Sequence, residues 1–161
     1  MINTSSQNYA VIFTTDIATI GLQFVGSKLI KVDYLNNKTQ QEPTTKLAET
    51  VKNKIEKYLN PQSKTKKINV DMRLNVTAFQ EKVLEQLLQI PYGETRTYGE
   101  IAKILKTSPR AVGNACRNNP VPIIIPCHRV VAANGIGGYA GATEGSLLGI
   151  KYQLLYLEGV V

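Results

Sequence analysis

Apolar positions along the chain follow two rhythms. In the first 35 residues they gather into strand-length runs: Tyr9-Ala-Val-Ile-Phe-Thr-Thr15, Thr19-Ile-Gly-Leu-Gln-Phe-Val25 and Lys28-Leu-Ile-Lys-Val-Asp-Tyr-Leu35. All three are rich in β-branched and aromatic residues, the composition of strands. Only Gly26-Ser27 separates the last two, which predicts a tight hairpin. After a polar stretch from Asn36 to Thr45, the residues Leu47, Val51, Ile55 and Leu59 recur at helical spacing with Lys and Glu between them. That is an amphipathic helix, and Asn60-Pro61 ends it. Gln62 to Lys67 holds no apolar residue and reads as a linker, and Ile68 to Met72 as a short strand that rejoins the sheet.

From Thr77 onward the rhythm is helical. Thr77 is placed to cap a helix in which Phe79, Val83, Leu84, Leu87 and Leu88 form one face, stopped by Pro91-Tyr-Gly93. Tyr98 to Leu105 reads as a short second helix with Ile101, Ala102, Ile104 and Leu105 apolar. Thr107-Ser108 makes a turn, Ser108 is a natural N-cap, and Pro109 suits the first helical position. A third helix runs to about Asn118, and Pro120 prevents it continuing. Val121-Pro-Ile-Ile-Ile125 is strand-sized. Two short helices joined by a three-residue turn have the outline of a helix-turn-helix, a pattern many helical domains share. The expected class is α+β, with a first domain over 1–67, a connector over 68–76 and a second domain over 77–161.

Composition narrows the classes. At 43% hydrophobic residues the 161-residue chain can bury a real core. No apolar run approaches the roughly 18 residues that span a bilayer. Met1 to Asn8 lack the basic start and apolar stretch of a signal peptide. The expectation is a soluble cytoplasmic protein without a membrane partner (nuclear in a eukaryote). The net charge of +7 suits nucleic acid. Yet 11 Lys/Arg and 6 Asp/Glu lie in residues 1–73, against 8 and 6 in 74–161. Most of the excess therefore sits away from the helix-turn-helix outline and reads as a solvated lysine-rich surface.

The soft, reactive residues are Cys116, Cys127 and His128. They are too few for a structural zinc site, so no metal and no cofactor are expected. A Cys116–Cys127 disulfide is sterically conceivable but disfavoured in a reducing compartment. In Ile-Pro-Cys127-His128-Arg129-Val a thiol stands beside an imidazole, at the end of the strand-like run. Neighbours in extended backbone point to opposite sides, so His128 reaches the thiol only in a bent backbone or through a water. By itself the pair is equally read as a small buried hydrophobe next to a hydrogen-bonded core histidine.

The surrounding residues carry more. Arg110-Ala-Val-Gly-Asn-Ala-Cys-Arg-Asn-Asn119-Pro-Val-Pro-Ile-Ile-Ile-Pro-Cys127-His128-Arg-Val-Val131 resembles the signature of the O6-alkylguanine-DNA alkyltransferase family. Thr77-Ala-Phe-Gln80, Ile90-Pro-Tyr-Gly93 and Thr97-Tyr98-Gly-Glu-Ile-Ala102 resemble its preceding helices, and Gly138-Tyr139-Ala140-Gly141 with Lys151, Leu154, Leu155 and Glu158-Gly159 its closing segment. The resemblance implies a ribonuclease H-like first domain and a winged helix-turn-helix-like second domain. It implies a protein, working as a monomer, that moves an alkyl group from O6-alkylguanine in duplex DNA to Cys127, once per molecule; O4-alkylthymine stays open as a second substrate. Under it, Cys127 is the acceptor, His128 the base acting through water, and Glu158 the carboxylate that orients it. Tyr98 donates to the guanine ring, and Asn119 shapes the turn near the cysteine. Arg110, Ala111, Gly113, Arg117 and Tyr98 meet the DNA, with Arg110 filling the space left by a base flipped out through the minor groove. Val130, Tyr139 and Ala140 line the base pocket.

The family's Tyr-x-Gly-Gly is here Tyr139-Ala-Gly-Ala142, and about five extra residues precede Lys151. A longer pocket loop over Thr143 to Gly149 is therefore expected, and Glu144 becomes a rival to Glu158. Some family members bind zinc in the first domain, but residues 1–73 hold neither Cys nor His. Cys116 reads as a packing residue.

Overall fold

The strand-like runs do pair, and they pair in sequence order. In the computed structural model, which describes residues 8–36, 39–142 and 145–161, the chain divides into two compact units, Met1–Asn75 and Val76–Val161. In the first unit β1 (Val11–Thr14), β2 (Thr19–Val25) and β3 (Lys28–Leu35) form an antiparallel sheet of order β1-β2-β3. The Val25–Lys28 pair closes the hairpin, with Gly26 at φ +58° where a side chain would be strained. Thr45 caps α1 (Lys46–Leu59) by accepting from the Ala48 N–H, and the helix buries Ala48, Val51, Ile55, Tyr58 and Leu59.

Two details differ from the sequence reading. β1 starts at Val11, because Tyr9 turns its hydroxyl to the buried Asp33 at 2.8 Å and lays its ring over Gly21. Ile68 to Met72 forms no strand. Met72 makes a single parallel bridge to Leu29, with Leu29 N–H to Asp71 O at 2.9 Å and Arg73 N–H to Leu29 O at 3.0 Å. Asn69 and Asp71, both poor strand formers, interrupt the run. The residues up to Asn75 belong with the first unit.

The second unit is mainly helical. Reciprocal capping boxes open α2 (Ala78–Leu88), through Thr77 and Gln80, and α3 (Tyr98–Leu105), through Thr97 and Glu100. Lys106 at φ +55° closes α3 in the left-handed region, and Ser108 starts α4 (Pro109–Arg117) with Pro109 in its first turn. β4 (Arg96–Thr97) pairs in parallel with β5 (Val130–Val131), which ties the start of α3 to the residues just after Cys127. α5 (Ser146–Leu157) completes the unit. Val83, Leu87, Ile101, Val112, Val121, Ile125, Leu154 and Leu155 form its core. Leu88 and Ile104, expected on apolar faces, are 50% and 60% exposed.

The expected strand over 121–125 is not a strand. Pro120, Pro122 and Pro126 lack N–H groups and fix φ, so no ladder can form. The run instead folds into a tight turn, with Ile125 N–H bonded to Val121 O at 3.0 Å and Ile123 at φ +74°. A β-branched residue there is strained, and burial of the whole run holds it in place. Cys127 opens the 3-10 turn Cys127–Arg129 that follows. The expected loop over Thr143 to Gly149 is shortened, because α5 begins at Ser146; Thr143 and Glu144 lie outside the described residues, as do residues 1–7 and 37–38. No helix among the described residues is long and apolar enough to cross a membrane.

A Cβ added to Gly21 would lie 2.7 Å from the Tyr9 ring and 2.9 Å from a Leu35 methyl. Overpacking of this kind costs roughly 1–3 kcal/mol. Gly21→Ala is therefore expected to lower stability by about that amount in urea unfolding. Unchanged stability would show that the Tyr9 ring yields freely.

Candidate active site

The sharp turn after Ile125 places three reactive side chains in a row without the alternation of a strand. The Cys127 N–H bonds back to Ile125 O at 2.8 Å, and Val130 N–H bonds to Cys127 O. Asn119 braces the turn from both sides: its amide donates to Ile125 O at 2.9 Å, and its Oδ1 accepts from Val121 N–H at 3.0 Å. Cys127 is 6% exposed. His128 is fully buried, and its Nε2 lies 2.6 Å from Glu158 Oε2.

Glu158 is held by more than His128. Arg129 Nε donates to both carboxylate oxygens at 2.9 and 3.2 Å, and Arg129 Nη2 donates to Oε2 at 3.1 Å. Gly93 N–H donates to Oε1 at 2.9 Å. Arg129 Nη1 reaches Ile90 O at 2.7 Å, and the guanidinium stands 5.7 Å from the Tyr92 ring centre. Glu158 is the C-cap of α5, where a negative charge opposes the helix dipole. Arg129 offsets that penalty. Sequence reasoning assigned no role to Arg129, or to the Ile90–Gly93 turn that completes the cage. The one available signal was an arginine inside an apolar run.

A cavity of about 270 Å³ opens in front of Cys127. Tyr98, Cys116, Arg117, Tyr139 and Ala140 line it with Cys127. Tyr139 and Ala140 were expected there. Val130 was also expected there, but it is fully buried and does not line the cavity; its carbonyl accepts from Lys151 instead. Cys116, read as a packing residue, contributes to the wall. Gly113 also faces the cavity and the Tyr98 ring. The loop closes as a small turn, with Tyr139 and Ala142 exchanging backbone bonds at 2.8 and 2.9 Å. Gly137 sits at φ +76°, and a Cβ there would meet the Tyr98 ring at 3.0 Å, so glycine lets that ring seat. Arg110 is exposed and Ala111 half-buried on the first turn of α4, away from the Glu158 cage. Among the described residues no three His, Cys, Asp or Glu side chains gather as a metal site.

The electrostatics separate the groups. Burial alone would raise Glu158, but the hydrogen bond and charge of His128, then Arg129 and the Gly93 N–H, hold it at about 2. Burial pushes His128 down, against Glu158. Because Arg129 supplies a permanent cation, Glu158 stays ionised and His128 neutral near pH 7. The neutral imidazole then donates Nε2–H to Glu158, which makes Nδ1 its basic nitrogen. Burial pushes the Cys127 thiol up, while Asn119, Lys151 and Tyr139 pull it down. Burial, then the nearby Cys116 and Cys127, pushes Tyr98 up to about 12, so it remains a phenol and a donor.

Comparison with known proteins decides the family. Residues 78–160 match the family model of the 6-O-methylguanine DNA methyltransferase DNA-binding domain. The chain belongs to this family. It is 40% identical over 136 residues to the methylated-DNA–protein-cysteine methyltransferase of Methanocaldococcus vulcanius, a match covering 78% of this chain and 84% of that one. Mycobacterium tuberculosis OGT, solved in complex with DNA, is 33% identical with a TM-score of 0.75, covering 91% of this chain and 90% of that one. The O6-methylguanine DNA methyltransferase of Methanococcus jannaschii is 34% identical with a TM-score of 0.67, covering 93% of each. The protein is thus a methylated-DNA–protein-cysteine methyltransferase, a DNA-repair enzyme of mixed α+β fold.

The cage sets an acid limit on stability. Glu158 and His128 both bind protons less readily folded than unfolded. Stability is therefore lost as pH falls below about 6.5, the ordinary histidine value, and further below about 4.5, the ordinary glutamate value. Thermal melts of the alkyl-free protein should show Tm falling through this window. Glu158→Gln should be less stable at pH 7 and should flatten the limb below about 4.5. A parallel fall in the variant would remove Glu158 as the cause.

Proposed function

We propose that the protein repairs duplex DNA by transferring the alkyl group of O6-alkylguanine to the Cys127 sulfur, once per molecule. The observation that carries this is the thiol at the wall of a cavity, with a neutral imidazole beside it whose other nitrogen is locked on an ionised carboxylate. A thiol near its ordinary pKa of about 8.5 is mostly protonated at neutral pH, and only the thiolate attacks carbon well. His128 takes the thiol proton through a water at Nδ1, and Glu158 stabilises the imidazolium that results. The sulfur then bonds to the alkyl carbon, and the C–O6 bond breaks with its electron pair passing to the guanine. Tyr98, kept as a phenol, donates a hydrogen bond to the ring as that charge develops. The product is a thioether, which simple hydrolysis does not reverse.

The cavity, about 270 Å³, lies at the small end of small-molecule sites. It suits one base with a small alkyl group, extruded from the stack. α3 and α4 act as a helix-turn-helix of the winged type, with α4 in the minor groove. Arg110, second in α4, fills the space the base leaves, while the free N–H groups of that first turn approach phosphate. Ala111 and Arg117 extend the contact, and Gly113 keeps the groove side of Tyr98 open. The protein works as a monomer, since one chain carries the whole site. The first unit takes the ribonuclease H-like role of a scaffold.

Incubation with O6-methylguanine DNA followed by peptide mass mapping should place one methyl group on Cys127 and none elsewhere. Cys127→Ala should transfer nothing yet still bind alkylated DNA. Repeated turnover, or a methyl group on another residue, sinks the proposal. Arg110→Ala should slow repair of duplex DNA by about tenfold or more, corresponding to about 1.4 kcal/mol, while leaving reaction with free O6-benzylguanine nearly unchanged. Equal losses on both substrates would end the finger role for Arg110.

A further inference from the structure

One buried cation takes no part in the reaction as described. Lys151 is fully buried in α5, on the same face as Leu154 and Leu155. Its ammonium donates to Val130 O at 2.7 Å and Gly138 O at 2.9 Å, and lies 5.8 Å from the Tyr98 ring centre. No carboxylate pairs with it among the described residues; the anionic groups that favour its charge are the thiols of Cys127 and Cys116 in their ionised form. A methionine would fill this space without the cost of burying a charge. The two carbonyls belong to the two walls of the site. Val130 leaves the Cys127 turn and pairs with β4, whereas Gly138 begins the Tyr139–Ala142 turn that lines the cavity.

We propose that Lys151 is a positioning residue for alkyl transfer: its buried ammonium ties the cavity loop to the nucleophile turn and supplies the positive charge that favours the Cys127 thiolate. This rests on Cys127 as the alkyl acceptor. The other groups that act on Cys127 do not supply that charge. Asn119 from the preceding turn and Tyr139 from the cavity loop are neutral donors, Tyr98 and Cys116 from α3 and α4 become anionic when they ionise, and His128 is neutral with Arg129 neutralised by Glu158. Burial lowers Lys151 to about 8, which still leaves it mostly protonated at pH 7. Its pull on Cys127 is in the direction that opposes burial of the thiolate.

The test reads the sulfur directly, without DNA. The rate of Cys127 carboxamidomethylation by iodoacetamide is followed against pH in the full chain, with Cys127→Ala as the background for Cys116. Lys151→Met should react at least about tenfold more slowly than wild type at pH 7, one pKa unit of lost thiolate. The gap should close as pH rises through the ordinary thiol range. A folded Lys151→Met with the wild-type pH midpoint overturns the proposal. Should Lys151→Met not fold, Lys151→Gln, which keeps a donor without the charge, is read in the same way. In wild type, NMR titration of the Lys151 side chain before and after methyl iodide treatment gives a third reading. Its midpoint should fall once the sulfur is a neutral thioether, and an unchanged midpoint overturns the charge pairing. A methyl group mapped elsewhere than Cys127 after reaction with DNA would defeat the acceptor assignment. The iodoacetamide profile would still report whether Lys151 acts on that sulfur.

Discussion

The carboxylate of Glu158 holds the second unit's site together. It is buried at the end of α5 and accepts from Arg129, from His128 and from the Gly93 N–H. Those donors come from two other parts of the chain, the turn after α2 and the turn that presents Cys127. One carboxylate therefore sets the position of three segments. A buried ion pair adds little net stability over an apolar replacement, but removing one partner leaves an unpaired charge and costs about 3–5 kcal/mol. The arrangement is better understood as specification. It admits one placement of His128, one protonation state for Glu158 and one ring nitrogen free of the carboxylate.

Around this pair the backbone is bent in ways that no single element would choose. Three prolines forbid a ladder over residues 120–126, Ile123 is held at positive φ, and Asn119 supplies the hydrogen bonds that a strand would have made. The product is a 3-10 turn in which the side chains of Cys127, His128 and Arg129 serve three different neighbours. Cys127 meets the cavity, while His128 and Arg129 meet Glu158. The β4–β5 pairing and the Lys151 ammonium then hold the exit of this turn to Tyr98 and to the cavity loop. Rigidity here serves the chemistry, since a nucleophile displaced by an ångström loses much of its advantage.

Charge is used locally rather than as a broad field. The second unit's basic excess is small, and two of its cations, Arg129 and Lys151, are buried in the site rather than spread on the surface. The exposed Arg110 stands on the first turn of α4, where helix N–H groups also favour an anion. Contacts to the sugar-phosphate backbone and the groove, rather than to base edges, fit a protein that must find damage in any sequence.

Much of this was legible in the chain itself. The strands β2 and β3, the helix caps at Thr77 and Ser108, and the hairpin at Gly26 follow from local rules, because turn geometry and capping depend on residues within a few positions of each other. The family motif singled out Cys127, His128 and Glu158, although local reasoning left the Cys-His pair open between core and catalyst. The strand-like run at 121–125 misled, since apolar content reports burial while the prolines decide geometry. Val130 and Gly113 were named for one environment and occupy another, and Arg129 and Lys151 were given no role at all. Their partners are carbonyls and a carboxylate 13 to 39 residues away in sequence. Local pattern determined which segments form and which residue types could react. Only tertiary packing decided which charges are buried, and burial is what sets their protonation and so gives Cys127 its chemistry.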